Sequence, residues 1–431
     1  MVFNPGMILS PQLLPHSLMV LAASVLAYSP ARAVDWPNWR GPGHDGLSRE
    51  KGLNTDWPEG GPQLLWESTG CGRGYSSVSV ADGRIFTLGR RGNAECLIAF
   101  SEKDGMELWA TGFGTSGHSN GTPSVDGNRV YAIGRDGDLV CCDVESGRKI
   151  WSKRFDKDFG GKMMSGWGYS ESPLIDGDQL ICTPGGSKAV LVALDKKTGR
   201  KIWGTKAPDD LGNKGQDGAG YSSVVISKAA GVKQYVQLTG RGIIGVDAAS
   251  GTYLWHYNKV ANGTANIPTP IASGDYIFCS TGYGTGSALL KLSKKGGSGI
   301  KAEEQYFLNS KTLQNHHGGM LLIGKQIYTG HKNNDGFPIC VDMESGDVKW
   351  GGDTRGPGSG SAAITYFDGH LIFRYENGIV ALIEATPEKY NLKASFKPVF
   401  QEKESWSHPV VANGNLYLRE QDRLMCYDLR K

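Results

Sequence analysis

The sequence predicts an all-β protein: an eight-bladed β-propeller of four-stranded antiparallel blades, with the ring closed by the N-terminal strand. Three observations predict it. A motif with Asp, Gly and Trp spaced four residues apart recurs along the chain. Apolar runs alternate with turn signals, in units whose length is typical of propeller blades. Finally, eight first strands can be counted, and the last repeat is one strand short.

The recurring motif assigns a role to each of its three residues. The Asp can accept hydrogen bonds from the N–H groups of a turn. The Gly supplies the positive φ of a tight hairpin, and the Trp covers the neighbouring sheet, burying on the order of 150–250 Å². A variant copy has Ser101, Gly105 and Trp109, and the complete copies are Asp143–Gly147–Trp151, Asp195–Gly199–Trp203, Asp247–Gly251–Trp255 and Asp342–Gly346–Trp350.

The repeat that follows Gly121 shows how one blade is expected to form. Ser124 and Val125 lead into an Asp-Gly turn, and 130–133 and 139–143 form the second and third strands. The strand that ends at Trp151 is the fourth. We expect the other blades to repeat this order.

Counting first strands gives the number of blades and the way the ring closes. The repeats begin near Tyr75, Gly121, Tyr169, Tyr221, Ile267, His317, Ser359 and Trp406. The last repeat ends after three strands, and we expect 63–67, with Trp66, to supply the fourth, which leaves no open sheet edge between the first and last blades. The fifth repeat lacks the motif, with Tyr306 or Phe307 in place of its Trp, and the seventh departs from it at 384–396. We expect both blades to be irregular.

The chain divides into residues 1–33, a signal peptide, residues 34–62, a leader, and residues 63–431, the propeller. Leu18–Tyr28 is apolar and Ala31-Arg-Ala33 is typical of a cleavage site. A transmembrane anchor is the alternative, but the apolar run is shorter than the roughly 20 residues that span a bilayer. Cys71 is the first cysteine, so a lipid anchor directly after the signal is not expected. These features predict a periplasmic or secreted protein.

The net charge of the chain limits the classes of partner. The formal net charge is +3, which requires neither nucleic acid nor an anionic membrane as a partner, and we expect a monomer without membrane insertion.

Eight cysteines in an exported chain suggest disulfides. Several, however, recur at slots where blades meet and a small residue is needed, so we expect most of them to be small core residues. Cys71 and Cys96 are the pair to check for a bridge.

The motif resembles the repeat of propellers that bind pyrroloquinoline quinone (PQQ), and also that of BamB-like outer-membrane assembly proteins. The segments Trp36–Pro42 and Trp57–Pro62 resemble the leader of exported proteins with this repeat. The resemblance implies the fold, and it implies either a binding scaffold or a quinone enzyme with Ca²⁺ beside the cofactor and a catalytic Asp. Many such enzymes carry a disulfide between adjacent cysteines, but Cys141 and Cys142 lie in a predicted strand, where neighbouring side chains point to opposite faces. We expect no cofactor, with PQQ and calcium as the alternative.

Loops at one end of the blades carry the candidate ligand-binding residues. Those that precede first strands hold histidines, aromatic residues and a carboxyl group, namely Tyr75, His118, Asn120, Trp167, Tyr169, Glu171, Tyr221, His317, Trp406 and His408. Those that follow second strands hold basic residues, namely Arg90, Arg135, Arg241 and His331, with Arg374 and Arg419 at comparable places. An aromatic floor with a cationic rim suits an anionic or polyhydroxylated ligand.

Other interpretations of these loops stay open. Acidic neighbours such as Asp136 and Asp335 can pair with the bases and leave only a soluble surface, and the aromatic residues can simply fill the channel. The histidines, with Glu171, can bind a transition metal, although no tight spacing supports it. The leader is either a plug across one face or part of a partner surface.

Together these features predict an exported, non-catalytic propeller that acts as a binding or scaffold module for a protein or glycan in the cell envelope. The alternative is a quinone- or metal-dependent oxidoreductase acting on an alcohol or sugar, with its cofactor over the central channel. No catalytic or metal-ligating residue is assigned.

Overall fold

The computed structural model describes residues 34–115, 117–296 and 299–431. It contains eight four-stranded antiparallel sheets and thus confirms the predicted eight-bladed propeller. The predicted signal peptide lies outside the described residues. None of the helices in the described ranges has the length and apolar character needed to cross a membrane.

The first four blades consist of consecutive strands. They are β2 (Ser79–Ala81), β3 (Arg84–Arg91), β4 (Ala94–Ser101) and β5 (Glu107–Gly114) in blade 1; β6 (Ser124–Asp126), β7 (Arg129–Ile133), β8 (Asp138–Asp143) and β9 (Lys149–Arg154) in blade 2; β10 (Leu174–Asp176), β11 (Gln179–Cys182), β12 (Val192–Asp195) and β13 (Lys201–Gly204) in blade 3; and β14 (Val225–Ser227), β15 (Gln234–Thr239), β16 (Gly242–Asp247) and β17 (Tyr253–Tyr257) in blade 4. A short α-helix, α1 (Phe155–Phe159), follows blade 2, and a 3₁₀ turn (Ala229–Gly231) lies within blade 4.

The other four blades complete the ring. They are β18 (Ile271–Ser273), β19 (Tyr276–Thr281), β20 (Gly286–Lys295) and β21 (Gly299–Asn309) in blade 5; β22 (Met320–Ile323), β23 (Gln326–His331), β24 (Phe337–Asp342) and β25 (Val348–Gly351) in blade 6; β26 (Ala362–Phe367), β27 (His370–Tyr375), β28 (Val380–Glu384) and β29 (Leu392–Phe396) in blade 7; and β30 (Val410–Ala412), β31 (Asn415–Glu420), β32 (Arg423–Asp428) and β1 (Leu64–Thr69) in blade 8.

The ring closes through a strand from the N-terminal side, as predicted. β1 pairs with β32, with Trp66 opposite Cys426 and Thr69 opposite Arg423, and Glu67 forms an ion pair with Arg423. First strands begin three to five residues after the predicted points, for example at Ser79 rather than Tyr75. The intervening residues belong to the loops around the channel.

The motif residues act at the joints between blades. Asp143 accepts a hydrogen bond from the N–H of Ser146 at 2.9 Å, so the Asp supports its turn as predicted. The indole N–H of Trp109 donates to Val144 O of the next blade at 3.0 Å. A Cβ on Gly147 would lie 2.5 Å from Cε3 of Trp109, so the glycine is needed where the next blade passes over the indole.

The two blades without the motif Trp, blades 5 and 7, use other aromatic residues at this joint. In blade 5 the Tyr306 hydroxyl donates to Met343 O at 2.6 Å, so Tyr306 takes the place of the Trp. The last hairpin of blade 5 is also the longest, with strands of 10 and 11 residues. In blade 7, Phe396 lies under Gly61, where an added Cβ would be 2.3 Å from its Cγ. Blades 5 and 7 therefore differ from the others in the aromatic residue that fills the joint, and each keeps a complete four-stranded sheet.

The cysteines belong to the core between and within blades. All eight are buried and form no disulfide, so the structure contains no Cys71–Cys96 bridge. Cys141 and Cys142 pack in different hydrophobic clusters on opposite faces of β8. This placement matches the expectation that strand geometry separates these adjacent side chains.

The leader crosses the blade end that carries the turns between first and second strands. Asp35 accepts hydrogen bonds from Asp82 N in blade 1 and from Asn413 in blade 8. Glu50 accepts from Gly414 N, and Gly52 N donates to Asp368 of blade 7. These contacts lie opposite the loops that carry the candidate site, so the leader covers the far end of the channel.

We predict that Gly147→Ala destabilises the protein more than Gly127→Ala, although both glycines have positive φ in the same blade. At Gly127 (φ 54°) an added Cβ meets nothing within 4 Å, whereas at Gly147 (φ 68°) it meets the Trp109 ring. The Gly127 change should cost about 1 kcal/mol of unfolding free energy. The Gly147 change should cost a further ~1–3 kcal/mol, because the indole must move. Urea denaturation measures both, and equal losses would show that the indole contact adds no stability.

Candidate functional site

A cavity of about 920 Å³ lies at the loop-bearing end of the propeller. Most of the residues predicted to bind a ligand line it, namely Tyr75, Arg90, His118, Asn120, Arg135, Trp167, Tyr221, His317, Trp406 and His408. They come from different blades, Arg90 from β3 and the others from loops, so the ring brings together residues that are distant in sequence. The volume lies in the range typical of small-ligand sites.

Aromatic rings form a connected wall of the cavity. The ring of Trp406 lies 4.5 Å from that of Tyr75 and 5.0 Å from that of His317, measured between centroids. The Trp406 indole N–H donates to Glu376 at 2.9 Å and the Tyr75 hydroxyl to Glu404 at 3.1 Å. These bonds hold both rings in place. Trp167, by contrast, is 57% exposed, so its ring is available to a ligand.

Three imidazoles lie at the inner part of the cavity and are neutral. His316 bonds to the hydroxyls of Ser361 (2.7 Å) and Tyr283 (2.9 Å). Burial lowers its pKa to about 4. Burial, with Arg40 nearby, lowers the pKa of His408 to about 3, and burial also holds the pKa of His317 well below its usual value. The Nε2 atom of His317 is inaccessible to solvent and has no hydrogen-bond partner among the described residues.

Two of the predicted basic residues reach the cavity. Arg90 donates to Gly92 O at 2.9 Å, and Arg135 donates to Gly166 O at 3.0 Å. The loop of Arg135 is held by Glu95, whose carboxyl accepts from the Arg135 N–H at 3.0 Å. Burial raises the pKa of Glu95 to about 7. The predicted basic residues therefore reach the cavity in one sector, beside blades 1 and 2.

Four candidate residues lie outside the cavity lining. Tyr169 is buried and donates to Pro184 O at 2.8 Å. Glu171 is buried and accepts from the N–H of Thr183 at 2.7 Å. Arg241 pairs with Asp217 at 2.7 Å, and His331 is buried, accepting from Gln314 N at 3.2 Å.

The expected ring of basic residues is also incomplete at blades 7 and 8. Arg374 and Arg419 were expected at the mouth, and this was wrong, because both are fully buried. Arg374 pairs with Glu420 at 2.8 Å, and Arg419 donates to backbone carbonyls, including Ser76 O at 2.9 Å. They connect the last blades to the first instead of facing a ligand.

Sequence reasoning missed several lining residues, most notably two from the leader. Trp39 and Arg40 lie at the end of the cavity that the leader closes, and the Trp39 ring lies 4.6 Å from that of His408. The leader was expected either to plug a face or to meet a partner, and nothing in its sequence indicated contact with the channel. Tyr283, Asn333, Asn334 and Glu404 are among the other polar and aromatic lining residues that were missed.

The donor set does not fit the calcium that accompanies PQQ. Calcium takes several oxygen ligands, among them carboxylates. Glu404 is the one carboxylate among the described lining residues, and it already accepts from Tyr75. No group of three or more His, Cys, Asp or Glu residues in the described ranges is arranged to hold a metal.

The buried carboxyl of Glu171 makes stability depend on pH. Burial raises its pKa to about 8 from an ordinary value of 4.5. Between these pH values Glu171 keeps a proton in the folded protein that it has lost in the unfolded chain. Its contribution to the unfolding free energy is therefore fully present below pH 4.5 and is lost as the pH rises through 8. We predict that Glu171→Gln reduces the loss of unfolding free energy between pH 5 and pH 8.5. Urea denaturation at both values tests this, with the exposed Glu388→Gln as control. An unchanged difference would contradict the prediction.

Comparison with known proteins places this geometry in a family. Residues 93–352, more than half of the chain, match the family described as outer membrane protein assembly factor BamB. The assembly factor BamB of Shewanella oneidensis is 23% identical over 219 residues, which is half of this chain and half of that protein.

Solved structures share the fold at low identity. BamB from Moraxella catarrhalis superposes with a TM-score of 0.59 at 13% identity, covering 85% of this chain and 99% of that one. A quinohemoprotein alcohol dehydrogenase from Comamonas testosteroni gives 0.62 at 12% identity, covering 92% of this chain and 81% of that one. The match over more than half of the chain, with eight closed blades, shows that the protein belongs to the BamB-like family of PQQ-like β-propellers.

Proposed function

We propose that this protein is a non-catalytic binding module of the cell envelope that holds a glycan in its central cavity. The observation that carries the proposal is the lining: a wall of aromatic rings faces neutral imidazoles and amides in one cavity of about 920 Å³. Aromatic faces pack against the C–H faces of sugar rings, and amides and imidazoles bond to hydroxyl groups. A glycan segment offers both kinds of surface at once.

The envelope location rests on the sequence and the family. Residues 1–33 have the pattern of an export signal, and the matching family is described by a role in outer-membrane assembly. Fractionation of cells that express the full chain tests the location. Recovery of the mature protein in the periplasm supports it, and recovery of the uncleaved chain in the cytoplasm contradicts it.

A quinone-dependent enzyme and a protein scaffold are the alternatives to be tested beside the glycan. Titration with PQQ, with and without Ca²⁺, followed by tryptophan fluorescence, tests the first, because Trp39, Trp167 and Trp406 line the cavity. Saturable, Ca²⁺-dependent quenching at one equivalent would favour the enzyme. Capture of an envelope protein by a variant that has lost glycan binding would favour the scaffold.

We predict that Trp167→Ala weakens glycan binding about fivefold or more and leaves stability unchanged. The ring is 57% exposed, so its removal costs little packing, whereas stacking on an aromatic ring contributes about 1 kcal/mol or more to a bound ligand. Met106→Ala is the matched control, since Met106 is 67% exposed and does not line the cavity.

The measurement is a fluorescence or calorimetric titration with neutral and acidic oligosaccharides, beside thermal unfolding of each variant. Equal affinities of Trp167→Ala and wild type would place the glycan away from this cavity. Failure of every oligosaccharide to bind wild-type protein would reject the proposed function.

A further inference from the structure

Three arginines of the described residues are buried, and they differ in how their charge is satisfied. Arg374 pairs with Glu420. Arg419 uses all three guanidinium nitrogens, donating from Nε to Gln421 O, from Nη1 to Ser76 O and from Nη2 to Gly72 O. Arg40 is 6% exposed, and its bonds come from Nη2 alone, to Asp45 O and Met320 O.

The other nitrogens of Arg40 have no partner in the described part of the chain. Its Nε is inaccessible to solvent and makes no hydrogen bond, and its Nη1 makes none either. Asp45, the acid whose charge acts on Arg40, uses its carboxylate to accept from Arg49 and from Leu47 N. A buried guanidinium without a bound carboxylate is costly, so its place in the structure needs a reason.

Arg40 lines the end of the cavity that the leader closes, and space remains beside it. Gly319 also lines the cavity, and a Cβ on it would lie 3.1 Å from Arg40 Nη1 and 3.2 Å from His408 Cε1. The bare glycine thus keeps the guanidinium open on that side. Two further nitrogens near this end, Trp39 Nε1 and His317 Nε2, are likewise buried without partners among the described residues.

The neighbouring imidazoles do not supply competing positive charge. Burial holds the pKa of both His317 and His408 well below neutral, so Arg40 is the charged group at this point. Burial also lowers the pKa of Arg40, to about 10, which leaves it a cation at neutral pH. Glu404, the carboxylate among the described lining residues, is bonded to Tyr75 instead.

From this arrangement we infer that the closed end of the cavity is a carboxylate-binding subsite built on Arg40, and that the glycan it receives is acidic, with a uronate-type sugar at its inner end. The inference rests on the proposed function and adds the chemical class of the ligand. Arg40 supplies the charge and free N–H donors for the carboxylate. The aromatic wall packs against the sugar rings that follow toward the mouth.

The test compares tri-galacturonate with the same trisaccharide after reduction of its carboxyl groups to hydroxymethyl groups. Each is titrated into the full mature protein by calorimetry. We expect wild type to bind the acidic sugar at least tenfold more tightly than the reduced one, because a hydrogen bond to a charged group contributes that much. We expect Arg40→Gln to remove this preference and to leave the affinity for the reduced sugar unchanged.

Two further variants separate charge from folding. Arg40→Lys keeps the charge but not the planar fork, and should retain part of the preference. Arg49→Gln removes one positive charge from an exposed side chain of the same leader, and should behave like wild type. Thermal unfolding of each variant confirms that the leader is still in place.

Each outcome decides a different point. If wild type binds both sugars equally, or if Arg40→Gln keeps the preference while remaining folded, the carboxylate subsite is wrong and the glycan-binding function stands. If wild type binds neither these sugars nor any other oligosaccharide, the proposed function itself fails. If Arg40→Gln does not fold, Arg40→Lys decides: a reduced preference there, with the full preference kept in Arg49→Gln, supports the subsite, and an undiminished preference in Arg40→Lys overturns it.

Discussion

The structure depends on hydrogen bonds between blades around the channel, where side-chain hydroxyls replace strand pairing. The N–H of Ser77 donates to the hydroxyl of Thr122 (3.2 Å), and that of Thr122 to Ser172 (2.9 Å). The series continues from Ser172 to Ser223 and from Ser223 to Thr269. Innermost strands of different blades cannot pair edge to edge, so their buried N–H groups need these partners. The series fixes the spacing of the blades at the axis and hence the width of the cavity.

The same joints explain why the lining residues lie where they do. Thr122, Ser172 and Thr269 are each followed by proline, which cannot donate to a ladder and holds the preceding residue extended. The segment that leads into each first strand therefore runs past the central axis of the propeller before its residues begin to pair in a sheet. Aromatic side chains on these stretches, such as Tyr75 and Trp406, have no neighbouring strand to cover them, so they face the channel.

Local sequence patterns predicted most of the fold, because each blade repeats the same short series of turns and apolar strands. The number of blades and the position of the replacement aromatic residue, Tyr306 or Phe307, follow from residues close together in sequence. The closing strand follows from the strand that the last repeat lacks. The site was predictable only in part. Glu171 lies in a loop that resembles the others and Arg419 lies near the end of β31, and the burial of both depends on how neighbouring blades pack. A polar residue in such a loop can equally bond to its neighbours, as Glu171 does with Thr183.

The contribution of the leader could not be read from its sequence, because it arises from a crossing of the whole ring. Contacts of Trp39 and Arg40 with His408 and Met320 join positions hundreds of residues apart. Eight similar blades create a channel with nearly repeated walls, and a symmetric wall cannot orient an asymmetric ligand by itself. The leader breaks that repetition at one end, by placing a single buried cation under one sector of the ring. Arg90 and Arg135 break it at the other end, near blades 1 and 2. The polarity of the cavity therefore comes from the leader and from the two blades whose basic residue faces the cavity, while the repeat supplies its shape and its aromatic surface.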